Sequence, residues 1–168
     1  MSKSKWRLSR TLARAVEVRP IEDSDIKYVW AAYRKGALSE LAEEGMDATR
    51  FKVAFEEYVL LNFNAAWTIT AKTKDGMVPV GLVFGSWAPL KMFMVLGGIV
   101  WFPWASKRNI LEGTVAYSNR LRKEMPIMGF ARNEHKRLYE VCCIHGIMRR
   151  VGTTMLLGEP VAVFEGKS

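Results

Sequence analysis

Two stretches of the 168-residue sequence gather residue types that can do chemistry. The first is the polar turn Ala105–Asn109, which follows the uncharged run Met92–Trp104 and opens a helical pattern. A strand leading into a helix N-terminus offers unpaired backbone amides and the positive end of the helix dipole, so Ser106, Lys107, Arg108 and Asn109 are candidates for holding phosphate. The second is the helical stretch from Asn133, read as its cap, to His145, which carries Tyr139 and the adjacent thiols Cys142 and Cys143. Neighbouring helix positions point about 100° apart, which suits two buried thiols in a reducing compartment better than a disulfide. His135 and His145 are ten residues apart, about 280° round a helix, so they share no face for a metal and none is expected. The sequence has no CxxC, HExxH, P-loop or Rossmann glycine pattern.

These groups need elements to position them. Val16–Pro20 reads as a short strand, with Asp23 and Ser24 as caps of a helix whose face is Ile26, Val29, Trp30 and Tyr33. A second helical piece is expected over Ala37–Glu44. A third, capped by Asp47 or Thr49, carries Phe51, Ala54, Phe55, Tyr58, Val59 and Asn62. The period then changes to two: Trp67, Ile69 and Ala71, a turn at Asp75–Gly76, then Val78, Val80, Leu82 and Phe84 make a hairpin. Met92–Trp104 follows as a strand buried on both faces, with a bulge at Gly97 and Gly98. A helix over Lys107–Glu124 presents Ile110, Thr114, Tyr117 and Leu121, and Ile127–Ala131 is a short strand. The helix from Asn133 turns Leu138, Val141, Cys142 and Ile144 inward, and Thr153–Leu157 pairs with Val161–Phe164. The order predicts a mixed α/β domain over residues 16–168, its sheet covered by helices on both sides, preceded by a basic arm over 1–15.

Charge adds a second theme. The net charge is +8 and the pI about 9.7, and the arm holds Lys3, Lys5, Arg7, Arg10 and Arg14 with no acid. A solvated basic face accounts for most of this, and nucleic acid, acidic lipid or a CoA-like polyphosphate are the partners that would exploit it. No secretory signal is visible, and Pro89 and Pro103 with three glycines argue against a membrane span over Leu82–Trp104. The aromatics Trp101, Phe102 and Trp104 could stack bases beside Lys107 and Arg108, although three aromatics closing a strand fit a core edge better.

Several strings, in order, resemble the GNAT superfamily of acetyl-CoA-dependent N-acyltransferases. VRPIEDSDI resembles its first strand and helix cap, KDGMVPVGLV its hairpin with Gly81, and NEHKRLYEVCCIHGIMRRVG its last helix. The resemblance covers residues 16–166 and implies a GNAT-like fold with acetyl-CoA as donor and an amine as acceptor. It implies that the fourth strand splays from the fifth over Gly97–Phe102, with Val100 and Phe102 beside the cofactor arm. Ser106, Lys107, Arg108 and Asn109 would then hold its pyrophosphate, and Asn133 would contact the arm. Tyr139 matches the tyrosine that protonates the departing thiolate. Glu40, Glu43, Glu44 and Glu57 are positional candidates for the base. The family's loop pattern Q/R-x-x-G-x-G/A is absent, since WASKRNILEG offers Gly113 only.

The expectation is therefore an N-acetyltransferase fold with a cytoplasmic location. The alternative is a non-catalytic relative, similar to the GNAT-like proteins of tailed bacteriophages, which would serve in a homo-oligomer or virion assembly and contact nucleic acid through the arm.

Overall fold

The structure is a computed structural model that describes residues 15–41, 43–132 and 135–168. Apart from Ala15, the expected basic arm lies outside the described residues, as does Asn133. In chain order come β1 (Val16–Pro20), α1 (Ile26–Arg34), α2 (Ala48–Asn62), β2 (Ala65–Thr73), β3 (Gly76–Trp87), β4 (Met94–Trp101), α3 (Lys107–Glu124), β5 (Ile127–Ala131), α4 (Lys136–Ile144), β6 (Met148–Leu156) and β7 (Glu159–Gly166). The strands form one sheet in the order β1-β2-β3-β4-β5-β7-β6. Every neighbouring pair is antiparallel except β4 and β5, which run parallel.

The alternating side chains of the sheet feed two cores. On one face Trp67, Ile69, Met94 and Leu96 pack with Tyr117 and Leu121 of α3 and with Tyr139 and Cys142 of α4. On the other, Leu82, Phe84 and Phe102 meet Val29 and Ala32 of α1 and Phe51 and Phe55 of α2. Phe51, Phe55 and Phe84 are each at most 1% exposed, and burying such a side chain contributes roughly 1.5–3 kcal/mol.

Asp25 fixes the entry to α1. Its carboxylate is buried and accepts two hydrogen bonds from the Arg19 guanidinium, one from the Glu22 amide and one from the Thr68 hydroxyl. One carboxylate therefore ties β1, α1 and β2 together. The expected caps Asp23 and Ser24 instead sit in a short 3-10 turn, Asp23–Asp25, with Glu22 at its N-cap.

Three other expectations change. The helical piece over Ala37–Glu44 shrinks to a 3-10 turn at Ser39–Leu41, because Gly36 and Leu38 both take positive φ, 100° and 54°, and break the helix before it can form. The apolar strand begins at Met94, two residues after Met92, because Pro89–Lys91 makes a turn. On α4 the buried side chains are Tyr139 and Cys142, while Ile144 is 60% exposed.

Candidate functional site

The bulge at the glycine pair sets up the site. Gly98 faces Phe84 on β3 and Leu96 faces Gly85, so Gly97 is the extra residue and β4 bends there. On its other side β4 pairs with β5 only through Met94, Val95 and Leu96, opposite Ile127, Met128 and Gly129. From Gly97 onward the two strands part.

A cavity of about 150 Å3 lies in this gap. Leu96, Gly97, Gly98, Ile99 and Trp101 line it from β4, and Phe130 lines it from β5. The helices contribute Thr114 and Tyr117 from α3, and Leu138 and Tyr139 from α4, with His135 just ahead of α4. His135 is the only histidine among the described residues of this lining.

Tyr139 is seated with little freedom. Its ring stacks on Phe164 with centroids 5.3 Å apart, and a Cβ on Gly129 would stand 3.1 Å from its Cζ. The Tyr117 hydroxyl donates to Tyr139 Oη at 2.8 Å. Burial pushes the Tyr139 phenol well above its ordinary value; the bond from Tyr117 draws it partly back, and Cys142 adds to the rise. Burial pushes the Tyr117 phenol up as well, followed by the effect of Tyr139. Both groups hold their protons at neutral pH.

The ladder with β3 decides which β4 amides point toward the gap. The Phe102 amide donates to the Val80 carbonyl at 2.9 Å. In an antiparallel ladder alternate residues turn their amides the same way, so Gly98, Val100 and Phe102 face β3, and Ile99 and Trp101 turn theirs toward the gap. Phe102 is moreover 2% exposed within the core beside α1 and α2. Val100 and Phe102 therefore flank the gap through the strand, while Ile99 and Trp101 present donors to it.

At the start of α3, Ser106 and Asn109 serve the helix itself. Ser106 Oγ accepts from the Asn109 amide, and Asn109 Oδ1 accepts from the Ser106 amide. This capping box satisfies two of the amides expected to hold phosphate. The Lys107 and Arg108 amides have no acceptor among the described residues. The Arg108 guanidinium pairs with Glu112, whose carboxylate is buried, so part of its charge is neutralised. Lys107 and two amides remain for an anion.

The three aromatics at the end of β4 are structural. The Trp101 ring lies between Gly81 and Gly113, where Cβ atoms would stand 2.7 and 2.6 Å from it. Trp104 Nε1 donates to the Pro79 carbonyl, and its ring packs on Phe102. None is free to stack a base.

The carboxylates considered as bases lie away from this lining. Glu43 pairs with Arg50, and Glu40 accepts from the Tyr58 hydroxyl. Among the described residues no group of three or more His, Cys, Asp or Glu is placed to hold a metal ion, and no helix is long and apolar enough to cross a membrane. Tyr117 is a lining residue that the sequence placed on the inward face of its helix but not in the site. Its position on the inward face of α3 was the available signal, because a buried tyrosine needs a partner for its hydroxyl.

No protein-family model and no curated protein matches this sequence. Solved structures do match in shape. AAC(6')-Ib in complex with paromomycin and acetyl-CoA superposes with a TM-score of 0.60 at 12% identity, over 90% of this chain and 93% of that one. A variant of the spermidine N-acetyltransferase SpeG from Vibrio cholerae gives 0.56 at 13%, over 90% and 93%. A GNAT-family acetyltransferase from Bacillus cereus gives 0.55 at 11%, over 90% and 96%. With its splayed fourth and fifth strands and its helices on both sides of a mixed sheet, the chain has the GNAT N-acetyltransferase fold.

Proposed function

We propose that this chain is an acetyl-CoA-dependent N-acetyltransferase that moves the acyl group of the thioester to an amine. One observation carries the reading: Tyr139, buried and protonated, borders the gap where β4 leaves β5. The donor-binding part rests on the Ile99 and Trp101 amides in the gap and on Lys107 with the two amides at the start of α3. Asn133, which the resemblance gives as a contact of the cofactor arm, belongs to the same proposal.

The chemistry follows from what these groups can do. The acceptor nitrogen attacks the thioester carbonyl, whose developing negative oxygen is met by amides of the fourth strand. The carbon–sulfur bond breaks, and the proton of Tyr139 Oη passes to the departing sulfur. His135 is placed to take the proton that the amine gives up.

A second reading keeps the fold without turnover, as an assembly or nucleic-acid-associated protein. It draws on the small cavity, about 150 Å3, with Trp101 fixed in its wall.

The test is thiol release from acetyl-CoA with an amine panel headed by an aminoglycoside and spermidine, the compounds named for the structural neighbours. Turnover that falls at least about 100-fold in Tyr139→Phe, without loss of acetyl-CoA binding, supports the first reading. Turnover that Tyr139→Phe leaves unchanged removes Tyr139 from the mechanism, and no turnover with any amine favours the second reading.

A further inference from the structure

We infer that Tyr117 is a positioning residue, one that aims the hydroxyl hydrogen of Tyr139 into the gap between β4 and β5; the catalytic part of this inference rests on the function proposed above. The two hydroxyl oxygens are 2.8 Å apart, both rings border the same cavity, and Tyr117 is 0% exposed.

A phenol has one hydrogen to give and can accept on its oxygen. The Thr114 hydroxyl is committed to the Ile110 carbonyl at 2.7 Å, and Tyr117 gives its own hydrogen to Tyr139 Oη. With the Tyr117 hydroxyl donating to Tyr139 Oη, the Tyr139 hydrogen has no acceptor on Tyr117. Its ring lies on Phe164 and over Gly129, and neither side chain offers an acceptor. The remaining direction is the cavity.

The arrangement also suits the step that follows. When the oxygen–hydrogen bond of Tyr139 breaks and a sulfur–hydrogen bond forms, negative charge is left on Tyr139 Oη. The Tyr117 hydroxyl already points at that oxygen and holds the charge until a proton released by the amine restores the phenol. Over a full cycle the amine's proton ends on the thiol, and no oxidant or further reactant is needed. A hydrogen bond to a charged oxygen is stronger than one to a neutral oxygen, so the contact favours the reacted state over the resting state.

The test is a double-mutant cycle of Tyr117→Phe and Tyr139→Phe, together with NMR of tyrosine labelled at the ring Cζ carbon. Tyr117→Phe keeps the buried ring and removes only the hydroxyl. The expected result is a fall in kcat of about tenfold, with KM for acetyl-CoA within twofold and no further loss in the Tyr139→Phe background. A loss that multiplies with that of Tyr139→Phe, or one that falls on KM, would show a structural role and overturn the inference. The NMR arm is independent of turnover. Tyr117→Phe should move the Tyr139 Cζ resonance and leave that of Tyr58 in place, and an unmoved Tyr139 resonance overturns the inference even if the protein is active. If no amine is turned over but the Tyr139 resonance moves, the proposed function fails and the placement of the hydroxyl stands.

Discussion

Replacing Gly113 with alanine separates two opposing effects that the structure allows to be weighed. Gly113 lies inside α3, away from the left-handed region, so alanine fits its backbone and would ordinarily stabilise the helix by about 1 kcal/mol. Its Cβ would, however, stand 2.6 Å from Trp101 Cη2 and 3.1 Å from Ile69 Cγ2. The indole has little room to shift, because Gly81 also packs against it so closely that a Cβ there would be 2.7 Å from Cε3. Overpacking of this kind costs about 1–3 kcal/mol, so the net effect is a loss of about 1 kcal/mol, or roughly 2–4 °C in Tm for a chain of this size. In a Trp101→Leu background the clash is gone and the same change should gain about 0.5–1 kcal/mol. Urea unfolding of the four proteins measures the coupling. If Gly113→Ala stabilises the native sequence, or if the two changes are additive, the reasoning about the indole slot is wrong.

Three further outcomes concern Asp25, the two cysteines and His135. Burial alone would raise the Asp25 carboxyl, but the bonds from Arg19, the Glu22 amide and Thr68 outweigh it and hold it below its ordinary 3.8. A depressed folded value means its contribution is present above pH 3.8 and is lost as pH falls through the folded value. Asp25→Asn should therefore cost about 3 kcal/mol at neutral pH and flatten the acid limb of the stability curve, which an unchanged limb would refute. Burial pushes the Cys142 thiol up to about 12, whereas Cys143 is partly exposed and raised less. A thiol reagent at pH 8 should accordingly modify one cysteine in the folded protein and two after unfolding, and rapid labelling of Cys142 in the folded state would contradict its burial. His135→Asn should lower turnover while leaving acetyl-CoA affinity within twofold; full activity in this variant would assign the amine's proton to another group.

The parts of the fold that declare themselves locally were legible in the sequence. Asp75–Gly76 announced the hairpin, and Gly76 does take a φ of 97°. Gly97 and Gly98 within an apolar run announced the bulge, since little else places paired glycines in an apolar strand. What could not be read depended on partners far along the chain. Asp25 looks like one acid among several near a helix start, and its bond to Thr68 crosses 43 residues. On the inward face of α4 Cys142 was read correctly and Tyr139 was not, because Leu138 and Val141 form an equally good apolar pair until Gly129 makes room for the tyrosine ring. The direction of the β4 amides follows from the ladder with β3, which leaves no trace in residue types. Ser106 and Asn109 carried an ambiguity of their own: the residue types that bind phosphate at a helix start are also those that cap the helix.

The most direct measurement is calorimetric titration of the protein with acetyl-CoA at moderate salt, with 3′-phosphoadenosine 5′-phosphate as the control for charge alone. The account predicts micromolar binding of acetyl-CoA, well beyond the control and weakened about tenfold by Lys107→Glu combined with Arg108→Glu. No binding, or binding matched by the control and erased by salt, would contradict it.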